Sequence, residues 1–560
     1  MDGSKILCLL GTVAASLLAS CDSWPDSWDF YYPLKKMASD DGGSTQDMGA
    51  DGSECTAPTL WPQTRLATGA QWIDLLTGGS PLVDTSSATL KIEDGTAVIT
   101  PSAPVALGPG AAGVRFSLKS SPFIPPKAYT VTGSNGKSVL GTGPLAVSKL
   151  LFGKKASKPI AAAQPIWAQA VTDADNNGAT KKTVFVHDAS GILYGVDRNP
   201  GDPLFSANPV SSNANVRPSL LSVATASSTT TSRFLGANGS GPNQLDVCVR
   251  GLNSLNQQLD SCTQITQSNG TAAFPGNTIT QVAMQKGSNL QSLRLAVIGK
   301  AKAGDSFDSV FDCKVNLAAS KTTGICAVTY TGSPTLTAPS SVVAIGDLDG
   351  RDDQDTVFQS SDNSLTVVQT NTGDSTVCPD CIGTAAKITE PLISLQVLDV
   401  DGDSLQDIVG ISSKKIHVWL QDSAKPGSFP SVRTSELALP AALQVKSAAQ
   451  IIVGDITGDP ARVKFPDVLL VASDGSFWTA LNQTPTLPDV RCSVENPWRG
   501  RFSTAAPVYT NQTGTDEQIK DTAPSISVSL DVERNPTDKR LGFLVAKQGE
   551  LQLWQNNSVQ

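Results

Sequence analysis

Apolar residues come in short runs broken by polar turns rich in Asp, Gly, Asn and Ser, a pattern that predicts strands and hairpins rather than helices. One unit recurs. Its clearest copies are Val342 to Gly350 leading to Asp355-Thr356-Val357-Phe358, Leu395 to Asp403 leading to Asp407-Ile408-Val409-Gly410, and Ile451 to Asp459, with an insertion before Asp467-Val468-Leu469-Leu470. Each reads as an apolar strand, an acidic turn, a second apolar strand, a tight polar turn and a third strand. The tight turns are Ser361-Asp362-Asn363-Ser364, Ser473-Asp474-Gly475-Ser476 and Lys547-Gln548-Gly549-Glu550, all hairpin signals.

Fainter copies follow the same order from Ala168, Leu220, Ile279 and Ile526, which makes seven. Anchored at Asp173, Thr225, Gln285, Asp347, Asp399, Asp455 and Asp531, their spacing runs from 52 residues (173 to 225) to 76 (455 to 531). That is close to one four-stranded propeller blade with its loops. The expected fold is therefore all-β, a seven-bladed β-propeller over residues 159–560. Two sandwiches are the competing arrangement, but a propeller leaves each sheet only short protected edges.

The last copy ends in Leu551-Gln552-Leu553-Trp554 with six residues after it, too few for a fourth strand. A closed ring must then draw that strand from before Ala168. Residues 56–158 hold strand-like material at Ala88 to Ile92, Ala97 to Thr100, Gly113 to Leu118 and Tyr129 to Thr132, so this N-terminal segment is expected to close the last blade.

The acidic turns resemble the FG-GAP or VCBS repeats of integrin α-subunit propellers and bacterial surface proteins, whose hallmark is D-x-D-G-D-x-x-x-D before an apolar strand. The resemblance covers roughly residues 165 to 556. It is closest from Asp399 to Asp407, weaker from Asp347 to Asp355 and from Asp455 to Asp467, and absent from the Leu220 and Ile279 copies. It implies calcium and interaction roles.

Read from the residues themselves, Asp399, Asp401, Asp403 and Asp407 stand at loop positions 1, 3, 5 and 9, an oxygen-rich set suited to calcium, with Gly402 permitting the turn. Asp347, Asp349 and Asp355 keep three of those places, while Arg351 takes the fifth. Asp455, Asp459 and Asp467, with Thr457, form a third set if the insertion loops out. In the copies at Asp173 and Asp531 a lysine, Lys181 or Lys539, stands ninth in place of an acid. The plain alternative is that acidic residues simply make good turns.

The first twenty residues read as a signal peptide, with Lys5 before an apolar stretch from Ile6 to Ala19 that is too short to span a bilayer. Leu18-Ala19-Ser20-Cys21 resembles a lipobox, which implies acylation of Cys21 and a lipid anchor in a bacterial cell envelope, on its periplasmic side or at the cell surface. Residues 21–55, rich in Asp, Ser and Gly, read as a flexible tether. Eight cysteines remain, an even number that favours disulfides in an exported chain. Cys248 with Cys262 and Cys313 with Cys326 could each staple a hairpin, Cys378 with Cys381 a small loop, and Cys55 and Cys492 are left over.

Composition narrows the function. Lys plus Arg number 42 against 51 Asp plus Glu, a net charge of −9, and no basic run carries interleaved aromatics, so nucleic acid is not an expected partner. His187 and His417 are the only histidines, and no G-x-S-x-G elbow occurs. The favoured reading is a calcium-stabilised binding or adhesion module for a protein or glycan ligand. A polysaccharide lyase or hydrolase on the same scaffold, or a structural envelope protein, is the alternative.

Overall fold

The computed structural model describes residues 60–77 and, from 89 to 558, the strands and many of the turns between them; the other residues lie outside what it describes. All the described residues belong to one compact unit, Ala57–Gln560. They form strands and turns and no α-helix, so the all-β expectation holds.

Seven antiparallel sheets follow one another along the described chain. The first runs Pro165–Ala174, Thr180–Asp188, Leu193–Arg198 and Ser206–Ser211; the second Ser222–Ala224, Thr231–Gly236, Asp246–Gly251 and Leu259–Gln264. The third has Ile279–Lys286, Ser292–Gly299, Ser309–Ala318 and Lys321–Thr331, with Thr266–Gln267 added in parallel to its last strand. The fourth is Pro339–Gly346, Asp355–Ser360, Leu365–Asn371 and Asp374–Cys378, and the fifth Leu392–Leu398, Asp407–Ser412, Lys415–Trp419 and Ser435–Ala438. In the sixth, Ile452–Gly454, Asp467–Val471 and Phe477–Ala480 are joined by Ala506–Pro507. The seventh has Ile526–Leu530, Phe543–Lys547 and Glu550–Asn556.

First strands of successive sheets lie against one another: Pro165–Ala174 against Ser222–Ala224, that strand against Ile279–Lys286, then Pro339–Gly346 and Leu392–Leu398 in turn. Ile452–Gly454 contacts Ile526–Leu530, and Ile526–Leu530 contacts Pro165–Ala174. Between the fifth and sixth sheets the contact is apolar, with Val409, Ile411, Ile416 and Val418 packed with Val468, Leu470 and Trp478. The second strands Asp355–Ser360, Asp407–Ser412 and Asp467–Val471 are buried at every residue, which is why the latter two are largely apolar after their first residue, while in the first Thr356, Gln359 and Ser360 are buried polar residues.

The seventh sheet takes its fourth strand from far upstream. Phe152–Pro159 pairs antiparallel with Glu550–Asn556, setting Phe152 opposite Asn556 and Pro159 opposite Glu550. The four upstream runs read as closing candidates do something else, which corrects that part of the expectation. They build two sheets of their own, one of Leu60–Pro62, Trp72–Thr77, Ala112–Ser117 and Val105–Ala106, the other of Arg65–Ala67, Val139–Ser148, Lys127–Ser134, Thr89–Ile92 and Ala97–Ile99. The closing strand escaped the hydrophobic pattern because it is an edge strand: Lys154, Lys155, Ser157, Lys158 and Pro159 are the residues that guard an outer edge. The upstream sheets share an apolar core with the last two repeats, in which Leu60, Leu75, Phe116 and Phe152 join Ile456, Phe477, Phe543 and Val545.

Candidate metal turns and a seam cleft

The acidic turns share one construction. The last Asp of each, Asp355, Asp407 or Asp467, opens the buried second strand and turns its carboxylate back on its own turn, where Oδ2 accepts the backbone N–H of Leu348, Val400 or Ile456. In the fifth and sixth sheets the other oxygen accepts an N–H from beyond the third strand, of Gln421 to Asp407 and of Asn482 to Asp467, both at 2.8 Å. Asp407 and Asp467 thus cap the turn with both carboxylate oxygens. Gly350 and Gly402 sit at equivalent places with φ of 72° and 79°, a backbone region that a side chain disfavours.

At the Asp399 turn, carboxylate oxygens of Asp399, Asp401 and Asp403 lie within 4.8 Å of one another, while Asp407 is not in that group. Asp399 accepts N–H groups from Gly402 and Ser404, at 2.6 and 3.0 Å. A cation already reaches this turn from the next sheet: Arg499 donates from Nε to Asp401 and from Nη2 to Asp403 at 2.7 Å, and from Nη1 to Glu495 at 2.8 Å. Burial raises the Asp399 carboxyl, and burial with the charge of Asp401 raises Asp403 to about 6 against the pull of Arg499. Burial, then Asp401, pushes Asp407 well up. The turn therefore favours added positive charge.

Asp347, Asp349 and Asp355 also bring three carboxylate oxygens within 4.8 Å. In the sixth sheet, Arg65 from the upstream segment is buried against the turn and donates to Asp467 Oδ1 at 3.0 Å, Thr457 Oγ1 at 2.6 Å and the Asn482 carbonyl at 2.8 Å. The guanidinium of Arg65 thus brings positive charge to Asp467, which the spacing marked as a metal ligand. Asp455 and Asp459 lie outside the described residues, as do Arg351, Cys21, Cys55, Cys381 and Cys492.

Cys313 and Cys326 form a disulfide across neighbouring strands, and Cys248 stands directly opposite Cys262 in the second sheet. Cys378 ends the fourth strand of the fourth sheet. His417 is fully buried, stacked on Trp419 with ring centroids 5.9 Å apart, its Nδ1 3.6 Å from Glu436 Oε2. His187 lies in a strand of the first sheet, far along the chain from His417.

A site the sequence did not announce lies at the seam where the closing strand meets the sixth and seventh sheets. It is a cleft of about 220 Å³ with Phe477, Ile519, Val545 and Trp554 as its apolar part and Lys154, Gln512, Lys520, Asp521, Lys547 and Gln552 as its polar part. Phe477, Phe543 and Trp554 stack in series beneath it, with centroids 5.3 and 5.9 Å apart. Each lysine is anchored once or twice: Lys154 to Glu550 at 3.0 Å, Lys520 to Asp474 at 2.9 Å, Lys547 to Asp521 at 2.9 Å and to Glu550 at 3.3 Å. Gln512, on an exposed hairpin, donates to the Lys154 carbonyl at 3.2 Å. No local motif could have revealed a site assembled from residues some 400 positions apart (Lys154 to Trp554).

No protein-family model and no curated protein matches this chain. Among solved structures it is similar to AofleA from Arthrobotrys oligospora, at 9% identity over 70% of this chain and 82% of that one, with a TM-score of 0.32. A six-bladed β-propeller lectin of Aleuria aurantia aligns at 14% identity over 58% of this chain and 94% of that one, with a TM-score of 0.30. The Polycomb Repressive Complex 2 structure of Chaetomium thermophilum aligns at 9% identity over 72% and 98%, with a TM-score of 0.39. Likenesses of this size decide neither blade number nor ligand for this chain.

Proposed function

We propose that this chain is a glycan-binding module built as a seven-bladed β-propeller of FG-GAP or VCBS type, exported and held at a cell envelope by acylated Cys21. The seam cleft carries the reading. It sets ammonium, carboxylate and amide groups around a narrow apolar base that includes Trp554, the mixture that a sugar ring, apolar on its face and hydroxylated at its rim, requires. Binding is favoured over hydrolysis because the carboxylates near the cleft are engaged by lysine. Burial alone would raise Glu550, yet hydrogen bonds from Ser157, Gln552 and Lys154, with the charge of Lys154, hold it down to about 2, too low for a proton donor at neutral pH.

Calcium belongs to the same proposal, at the Asp399 turn. Asp399, Asp401 and Asp403 fit a hard, oxygen-seeking ion and would hold it; bound there, it would supply positive charge that Arg499 otherwise brings.

The test is a panel of immobilised oligosaccharides probed with the mature protein and with Gln512→Ala. Retention of at least one glycan, weakened by Gln512→Ala, is the expected result. No retention of any glycan removes the reading, and released sugar product would replace it with the enzyme. Separately, Cys21→Ser should move the protein from the detergent phase to the aqueous phase.

A further inference from the structure

We infer that the seam cleft selects an anionic saccharide, one bearing carboxylate or sulfate groups; this rests on the glycan reading above. The polar part of the cleft holds three lysines, Lys154, Lys520 and Lys547, and one acid, Asp521. The lining thus carries an excess of two positive charges in a chain whose net charge is −9, while Glu550 and Asp474, which pair with these lysines, stand outside it. The lysines come from three separate elements: Lys154 from the closing strand Phe152–Pro159, Lys547 from the second strand of the seventh sheet, and Lys520 from the segment after Glu517–Gln518.

Their anchoring leaves capacity for a ligand. A lysine ammonium has three N–H donors, and Lys154 and Lys520 each spend one on a carboxylate, while Lys547 spends two. The side chains are 30%, 48% and 24% exposed in the order Lys154, Lys520, Lys547, so the ammonium groups stand at the water boundary rather than inside the core. Glu550 pairs with Lys154 and Lys547, Asp474 pairs with Lys520, and neither carboxylate lines the cleft. An anionic group entering from solvent meets fixed, already oriented ammonium donors. Trp554, 8% exposed, and Ile519, 3% exposed, give the ring that carries it a narrow apolar base, with Val545 buried beneath.

The experiment is calorimetric titration of the full mature protein with an oligogalacturonate, its fully methyl-esterified form and a sulfated galactan oligosaccharide of equal length. The acid should bind about 10-fold more tightly than the ester, and Lys520→Ala should weaken acid binding about 5-fold while leaving the ester unchanged, the scale of one exposed charge contact. Lys520→Arg should keep the preference, and Lys425→Ala, at an exposed loop remote in sequence from the cleft, should have no effect. Equal binding of the sulfated chain and the uronate assigns the preference to charge, which supports the inference, and binding of the uronate alone narrows it to carboxylate. Equal affinity for acid and ester overturns the inference but leaves the glycan reading standing. An equal loss in Lys425→Ala also overturns it, as unspecific attraction. Binding of none of the three overturns both.

Discussion

The side-chain amide of Asn482 donates a 2.8 Å hydrogen bond to the backbone carbonyl of Val400, the apolar residue inside the acidic turn of the preceding sheet. The relation repeats. Gln421 donates to the Leu348 carbonyl and Asn556 to the Ile456 carbonyl, so three successive sheets are each tied to the turn before them by an amide two residues beyond an aromatic or small residue of the third strand. Leu348, Val400 and Ile456 are all fully buried, and their carbonyls have no access to water.

Replacing Asn482 by Ala should therefore cost about 1 to 3 kcal/mol, the penalty of leaving buried acceptors unmade. The Pro466 carbonyl, 3.3 Å away, loses its donor as well. Urea melts of the variant and the parent measure it; a difference below about 0.5 kcal/mol, the level of an ordinary surface change, would remove the amide from any role in joining the sheets.

Arg65 and Asp467 make a buried ion pair between the upstream segment and the sixth sheet, with side-chain exposures of 8% and 0%. Arg65→Met should cost about 3 to 5 kcal/mol because it strands the Asp467 charge, whereas the double change with Asp467→Asn should recover much of that. A double-mutant cycle with no coupling would show that the pair does not fasten the two parts.

A calcium ion at the Asp399 turn would compete with Arg499 for the carboxylates of Asp401 and Asp403. Adding calcium at a hundredfold above its dissociation constant should stabilise the protein by about 2.7 kcal/mol, and Arg499→Ala should enlarge the calcium-dependent rise in Tm. Asp403→Ala should abolish most of it. Melting curves of Arg499→Ala that are the same with calcium and with chelator would leave the turn as a plain hairpin connection.

Non-reducing peptide mapping should recover Cys313 joined to Cys326 and Cys248 joined to Cys262. With a sequence separation of 13 for the first pair, replacing both cysteines should cost about 3 kcal/mol. Free thiols in exported protein would contradict the pairing.

The seam should be the acid-sensitive part of the molecule. A carboxyl whose folded pKa lies below its unfolded value stabilises the fold above the unfolded pKa and loses that contribution as the pH falls through the folded one. For Glu550 the window runs from 4.5 down to about 2. Its contribution at neutral pH is on the order of 3 kcal/mol before solvent screening and smaller after it, the side chain being 25% exposed. Glu550→Gln should lower stability at pH 7 and flatten the loss between pH 4.5 and 2; an unchanged acid limb would place the sensitivity elsewhere.

Much of the architecture was legible from spacing. The strand runs beginning at Asp355, Asp407 and Asp467, and the tight turns at Asp362 and Asp474, stand where period and turn chemistry put them, because strand burial and local hydrogen bonds are short-range matters: Asp362 and Asp474 each accept from the serine two residues on. The carboxylate roles were legible only in part. The repeat showed that Asp407 and Asp467 matter, but not that they face their own backbone or that Asp467 meets Arg65, since nothing in a nine-residue turn specifies which distant cation arrives.

By itself, then, the chain's pattern determined an all-β repeat and its acidic turns. Which strand completes the seventh sheet was decided in three dimensions: Phe152–Pro159 is too polar to announce itself, and it is chosen because Glu550–Asn556 offers an open edge that only a neighbouring backbone can satisfy. The cleft followed from that choice. Lys154 comes within reach of Lys547, Lys520 and Trp554 only once Phe152–Pro159 pairs with Glu550–Asn556, and such convergence of remote residues leaves no trace in local sequence.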